Sequence, residues 1–263
     1  MKIAAAQIAC DVGEVAANVR KLCDFAARAK AAGAQWVVFP ELSDTGYVMS
    51  VIREKASRWS EGAVPALQRT ARELSLGIIA GVSERTDDCI FNSLVVIDPS
   101  GEIAGRYRKA HLFSPAPVEE HKCFAAGREL VAVPLGGARV GLSICYDLRF
   151  PEFYRALAVN RQANVLVVSA AWPFPRVEHL RTLSIARAIE NQSYVVVSNR
   201  VGKDGSLTCC GSSAIIDPYG VVVAAASADR EELIYGEFSD EVLRSVRERM
   251  AVFEHRRPEI YAP

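Results

Sequence analysis

Val140-Gly-Leu-Ser-Ile-Cys145-Tyr-Asp-Leu-Arg-Phe-Pro-Glu152 is the stretch around which the chain is organised. Val140, Leu142 and Ile144 alternate with small residues, the pattern of a buried strand. The alternation stops at Cys145, and Pro151 signals a helix start just ahead of Glu152-Phe-Tyr-Arg-Ala-Leu157. A thiol therefore ends a strand, on a turn that leads into a helix N-terminus. That address exposes the sulfur, and the nearby N–H groups and helix dipole should favour its thiolate. A cysteine closing an apolar strand is also an ordinary core residue. The rest of the chain has to decide between the two.

Outward from this turn, strands over 164–169 and 194–198 alternate with helices over about 151–161 and 178–192. Towards the N-terminus, residues 2–9 form an apolar strand, and Asp11 to Gly33 read as a capped helix. Val15, Val19, Leu22, Ala26 and Ala29 recur at helical spacing there, and Gly33 suits the position just past a helix end. Trp36-Val-Val-Phe39 is apolar without interruption, as in a sheet covered on both faces, and ends at Pro40-Glu41. A helix over roughly Val64–Leu76, ended by Gly77, leads to a strand over Ile78–Ser83. Two hairpins use one device: Asp98-Pro-Ser-Gly101 turns 93–97 into 102–109, and Asp217-Pro-Tyr-Gly220 turns 214–216 into 221–224. Two halves built alike predict an α/β fold in which two mixed sheets pack face to face with helices outside. This is a four-layer α-β-β-α sandwich, with residues 1–263 as a single domain. A charged helix over Asp240–Met250 precedes a tail (about 251–263) expected to dock on the domain or on a sister subunit.

Lys plus Arg equals Asp plus Glu at 31 each, so the charge balance offers nothing to nucleic acid or an anionic membrane. Apolar runs such as 165–171 and 221–226 fall far short of the roughly 20 residues that span a bilayer. Met1-Lys-Ile-Ala-Ala-Ala-Gln7 reads directly as a strand, without the apolar core and cleavage site of a secretory leader. Seven cysteines, an odd number without CxxC spacing, argue against a disulfide framework or a zinc site. A cytoplasmic protein is expected.

Three residues carry the chemistry. Glu41, Lys109 and Cys145 all fall at strand ends or in the loops that follow, where α/β proteins bind ligands. A carboxylate can take a thiol proton, the thiolate can attack a carbonyl or nitrile carbon, and an ammonium can neutralise the oxyanion that develops. Singly, Glu41 reads equally as a solvated loop acid and Lys109 as a surface cation. Spacing alone does not join them.

Phe39-Pro-Glu-Leu42, Tyr107-Arg-Lys-Ala-His-Leu-Phe113 and Ile144-Cys-Tyr-Asp-Leu-Arg-Phe-Pro-Glu152 resemble, in order, the three signature segments of the nitrilase, or carbon–nitrogen hydrolase, superfamily. The resemblance runs over nearly the whole chain. It implies a Glu-Lys-Cys triad at Glu41, Lys109 and Cys145 on an αββα sandwich, usually as a homodimer, with neither metal nor organic cofactor required. It also implies a second site glutamate seven residues before a glycine. Glu120 before Gly127 fits, with Glu119 the near competitor, and would orient Lys109 or the attacking water. Ala170-Ala-Trp-Pro-Phe-Pro-Arg176, Ala186-Arg-Ala-Ile-Glu-Asn-Gln192 and Ser198-Asn-Arg-Val-Gly-Lys-Asp-Gly205 resemble the ω-amidase branch. Those enzymes hydrolyse the terminal amide of short 2-oxo dicarboxylate monoamides. Val252 to Tyr261 resembles the sister deaminated-glutathione amidases, and the two prolines of Ser114–Glu120 depart from the closest ω-amidases.

The small-molecule amide so implied carries a carboxylate, which needs a cation besides Lys109. Arg149 and Arg176 are the candidates, although an ion pair or a helix-start contact is the plainer reading of each. Trp172 could wall the acyl pocket or simply fill the core, His179 reads as structural, and the Tyr146 backbone N–H would share the oxyanion with Lys109. The expected activity is hydrolysis of an ω-amide through a thioester, with ammonia released. Deaminated-glutathione amidase and N-carbamoyl amidohydrolase are the alternatives, and a catalytically silent binding or assembly protein is the rival outside the enzymes. A papain-like peptidase would need a histidine base, and none of His111, His121, His179 and His255 has a recognisable partner motif.

Overall fold

Alternation along the first strand divides the molecule into layers. In the computed structural model, which describes residues 1–261, Ile3 and Ala5 of β1 (Lys2–Gln7) face a second sheet, whereas Ala4 and Ala6 face helices. The chain continues through α1 (Val15–Ala31), β2 (Trp36–Val38), α2 (Met49–Lys55), α3 (Ala63–Leu74), β3 (Gly77–Arg85), β4 (Ile90–Ile97) and β5 (Ile103–Arg108). Then follow β6 (Ala132–Leu135), β7 (Ala138–Ile144), α4 (Pro151–Asn160), β8 (Val165–Ala170), α5 (Val177–Asn191) and β9 (Tyr194–Asn199). A short hairpin β10 (Lys203–Asp204) and β11 (Leu207–Thr208) precedes β12 (Ala214–Ile216), β13 (Val222–Ala225), β14 (Glu232–Glu237), α6 (Asp240–Arg249) and α7 (Pro258–Tyr261).

The two six-stranded sheets run β14-β1-β2-β3-β4-β5 and β13-β12-β9-β8-β7-β6. From β5 inwards the pairings are antiparallel twice, parallel twice, then antiparallel, and from β13 inwards they are the same. The hairpins occupy equivalent edges, and Asp98 and Asp217 do the same work in each. Their carboxylates accept N–H groups from Ser100 and Glu102, and from Tyr219 and Val221. Between the sheets lie Trp36, Val38, Leu94 and Val96 from one side and Val140, Leu142, Val167 and Val196 from the other. Outside, Leu22, Phe25, Leu67 and Ala71 on α1 and α3 cover the first sheet, and Leu157 and Leu180 on α4 and α5 cover the second. The α-β-β-α sandwich is as expected.

Boundaries differ in instructive ways. The first helix starts at Val15, not Asp11, because Asn18 bonds both the N–H and the carbonyl of Asp11 (2.8 Å each) and holds that segment as a loop. The helix expected to end at Gly77 ends at Leu74 with Ser75 in a left-handed turn. Gly77 instead opens β3, where a Cβ would stand 2.2 Å from the Trp36 ring. Of the tail, Phe253 lies between the guanidinium groups of Arg155 and Arg247, while Ile260 and Tyr261 are exposed; residues 262–263 lie outside the described residues. Among the described residues no helix is long and apolar enough to cross a membrane.

Candidate active site

Glu41 owes its position to a glycine. The chain leaving β2 passes directly over β3 at Gly81, where a Cβ would be 2.3 Å from the Pro40 carbonyl oxygen and 2.6 Å from Glu41 Cα. Ser43 then clamps the crossing, donating its backbone N–H (2.8 Å) and its hydroxyl (2.9 Å) to the Gly81 carbonyl. Lys109 follows β5; its N–H bonds the Asn92 carbonyl and its carbonyl accepts the N–H of Gly127, each at 2.8 Å. Gly127 is required because a Cβ there would meet the Arg108 carbonyl oxygen at 2.1 Å.

Cys145 ends β7 in a left-handed conformation, φ +44°, and opens a 3-10 turn (Cys145–Arg149) that runs into α4 with Pro151 in its first turn. Asp147, wholly buried, holds this turn to the Lys109 segment. It accepts the Ile144 N–H (2.8 Å), the Tyr107 hydroxyl (2.6 Å), and from His111 both the backbone N–H (3.0 Å) and the ring Nδ1 (2.7 Å). Arg187 on α5 donates twice to the Leu148 carbonyl from the other side (3.2 and 2.8 Å).

These elements bring the charges together. The fully buried Lys109 ammonium bonds Glu41 at 2.7 Å and Glu120 at 2.8 Å. Glu120 also accepts the Tyr47 hydroxyl (2.7 Å) and the Phe113 N–H (2.6 Å), and Glu41 accepts the Asn92 amide (2.7 Å) and the Ala171 N–H (2.9 Å). Glu119 stays outside and pairs with Lys122. Burial alone would lower the Lys109 pKa, but Glu120 and Glu41 more than offset it and keep the ammonium charged. Burial pushes Glu120 up against the pull of Lys109. Burial and the charge of Glu41 also raise the Cys145 thiol well above its ordinary 9.0, with Lys109 opposing. This direction runs against the thiolate expected from the helix N-terminus: desolvation beside a carboxylate opposes ionisation of the sulfur.

Cys145 is 8 % exposed and looks into a pocket that is open to solvent. Tyr47, Phe113, Val118, Trp172 and Leu207 wall it, and Tyr146, Arg149 and Arg176 line it too. The chain from residue 2 to 248 matches the model of the carbon-nitrogen hydrolase family. The chain belongs to the carbon-nitrogen hydrolase family. It is 36% identical to the 2-oxoglutaramate amidase of Bacillus subtilis over 95% of both chains. It is 30% identical to an omega-amidase of Homo sapiens over 93% of this chain and 91% of that one. A CN-hydrolase superfamily protein of Xanthomonas campestris, solved with an arsenic adduct in its active site, superposes with a TM-score of 0.90 at 31% identity, covering 98% and 97% of the two chains.

In this carbon–nitrogen hydrolase the two candidate arginines meet at the pocket. Arg149 stacks over the Trp172 ring at 4.8 Å and contacts His179 Nδ1 at 3.3 Å, and Arg176 lies 5.7 Å from the Phe113 ring. Neither has a carboxylate partner among the described residues, so the ion pair allowed for each is absent, whereas the helix-start contact holds for Arg176, which caps α5 and whose carbonyl accepts the Leu180 N–H. Trp172 is pinned, its N–H groups bonding Asn199 Oδ1 (2.7 Å) and the Arg176 carbonyl (2.8 Å). No histidine lines the pocket. Sequence reasoning missed Tyr47, Asn92 and the Ala171 N–H. Asn92 had left a trace, an amide inside the apolar run Ile90–Ile97, and Tyr47 follows Glu41 by six residues with nothing to mark it.

Proposed function

We propose that this carbon–nitrogen hydrolase cleaves the terminal amide of small carboxylate-bearing ω-amides, 2-oxo dicarboxylate monoamides foremost. The observation that carries this reading is the pair of guanidinium groups, Arg149 and Arg176, lining the same pocket as Cys145 and holding no carboxylate among the described residues. The relatives named 2-oxoglutaramate amidase and omega-amidase support it.

In the mechanism, Glu41 takes the Cys145 proton as the sulfur adds to the amide carbon. A sulfur whose ionisation is opposed requires this base. Lys109 and the Tyr146 N–H hold the oxyanion, and Lys109 can do so without moving because Glu120 and Glu41 already fix its ammonium. Glu41 returns the proton to the amide nitrogen, the C–N bond breaks, ammonia leaves, and a thioester remains. Water, deprotonated by Glu41, adds to the thioester carbon. The thiolate departs and recovers the proton, and the carboxylic acid is released. Glu120 orients Lys109.

The whole chain acts as one catalytic unit with its tail folded back at Phe253. We place it in the cytoplasm, a reading its seven free cysteines support, and assign it a homodimer. The exposed Ile189, Tyr219, Val221, Val222 and Val223 support that assembly. A panel of ω-amides, N-carbamoyl compounds, nitriles and deaminated glutathione, with products measured, tests the substrate. Ammonia from ω-amides without carbon dioxide is expected; turnover confined to nitriles would refute it.

A further inference from the structure

Asn92 has no part in the reaction just drawn, yet it touches both residues that flank the nucleophile. It lies on β4, between β3, over which Glu41 crosses, and β5, which delivers Lys109. Its carbonyl accepts the Lys109 N–H (2.8 Å), while its side-chain Nδ2 donates to Glu41 Oε1 (2.7 Å) and lies 3.5 Å from Glu120 Oε1. The side chain is wholly buried and its Oδ1 has no partner. An amide left half satisfied in the interior costs stability. Packing is therefore no reason for it to be there.

The hydrogen bonds on Glu41 are unequal. Oε1 receives two donors, Asn92 Nδ2 and Lys109 Nζ, whereas Oε2 receives only the Ala171 N–H. Ala171 lines the pocket together with Cys145, so Oε2, which accepts its N–H, is the oxygen on that side. The ionisable groups facing Glu41 are Lys109 from the end of β5, Glu120 from its 3-10 turn, Cys145 from the β7 turn, Tyr47 from the loop before α2, and Cys209 beyond β11. Lys109 alone among them is a cation, and it is shared with Glu120.

We propose that Asn92 is a positioning residue that makes Oε2 the proton-exchanging oxygen of Glu41, by holding Oε1 together with Lys109. The proposal rests on the Glu41–Lys109–Cys145 reading of the site. The near-isosteric Asn92→Leu variant, with Asn92→Ala beside it, tests it on the best amide from the panel. Without the amide donor Oε1 keeps only Lys109, and the carboxylate is free to turn Oε2 away from the sulfur. kcat is expected to fall about tenfold, with KM within about twofold. An unchanged kcat, or a change confined to KM, overturns the proposal. In the unaltered enzyme, the Asn92 side-chain amide resonance should carry the signature of a carboxylate acceptor and shift in Glu41→Gln. A resonance indifferent to that substitution overturns it whether or not the Asn92 variants fold. Turnover surviving in Cys145→Ala would instead refute the reading of the site itself.

Discussion

Cys145 holds a backbone conformation at φ +44° that costs a non-glycine residue about 1–3 kcal/mol, and the bonds to Asp147 and from Arg187 maintain it. Removing charge nearby should cost far more. Lys109→Ala leaves Glu41 and Glu120 buried without their cation. It is expected to abolish turnover and to destabilise the fold by about 3–5 kcal/mol, measured by denaturant unfolding. Arg149→Ala and Arg176→Ala should leave folding intact and raise KM for carboxylate-bearing ω-amides about 10–100-fold, with an uncharged amide such as propionamide unaffected. Equal losses on both substrates would mean the arginines shape the pocket without reading charge. At this scale the sequence was legible where chemistry is unusual. A glutamate, a lysine and a cysteine fell at strand ends, but only the family resemblance joined them. It left Glu119 as a competitor to Glu120 until the structure paired Glu119 with Lys122. Tyr47 and the Ala171 N–H were not legible, because a hydroxyl or a backbone group becomes part of a site only through contacts distant in sequence.

Strands and helices carry those residues to their places, and two of the devices can be tested apart from chemistry. Gly81→Ala puts a methyl into the crossing strand, so Glu41 must shift; a loss of kcat of at least about 100-fold is expected, since displacements near 1 Å have that effect. Glu84 on β3 ties the neighbouring strands by accepting Ser93 of β4 (2.7 Å) and Arg108 of β5 (2.6 and 2.9 Å). Burial pushes its carboxyl up, but the bonds from Arg108 and Ser93 prevail and hold it below its ordinary 4.5. A depressed carboxylate contributes stability that is complete above pH 4.5 and lost as pH falls through the folded-state value. Glu84→Gln should therefore lower Tm at pH 7 and converge with the parent below that value; parallel curves at all pH would contradict it. Apolar periodicity located most elements. Among those it missed are α2, only seven residues long, the short β6, β10 and β11, and β14, which has charges at both ends and closes the first sheet against β1. Strand pairing across more than two hundred residues leaves no local mark.

Across the molecule the seam between the sheets is stitched by buried hydroxyls. Ser169 on β8 donates to the Phe39 carbonyl (2.8 Å), and Ser198 on β9 to the carbonyls of Ala6 (2.6 Å) and Val38 (3.1 Å). Ser198→Ala frees both acceptors in a dry seam and should cost about 1–3 kcal/mol by urea unfolding. Light scattering on the intact protein should give twice the 28.6 kDa of one chain, and a monomeric mass would exclude the dimer. The repeated Asp-Pro-x-Gly hairpins pointed to two sheets of one design, and the shared order of pairings repeats it over all six strands. Glu41 and Lys109 belong to one of those sheets, Cys145 and the Ala171 N–H to the other. On the proposed Glu41–Lys109–Cys145 mechanism, neither half of the chain, folded alone, would possess a working centre. Catalysis thus doubles as a clock for refolding: secondary structure and burial can recover early, but ammonia release resumes only when the last inter-sheet contacts have closed.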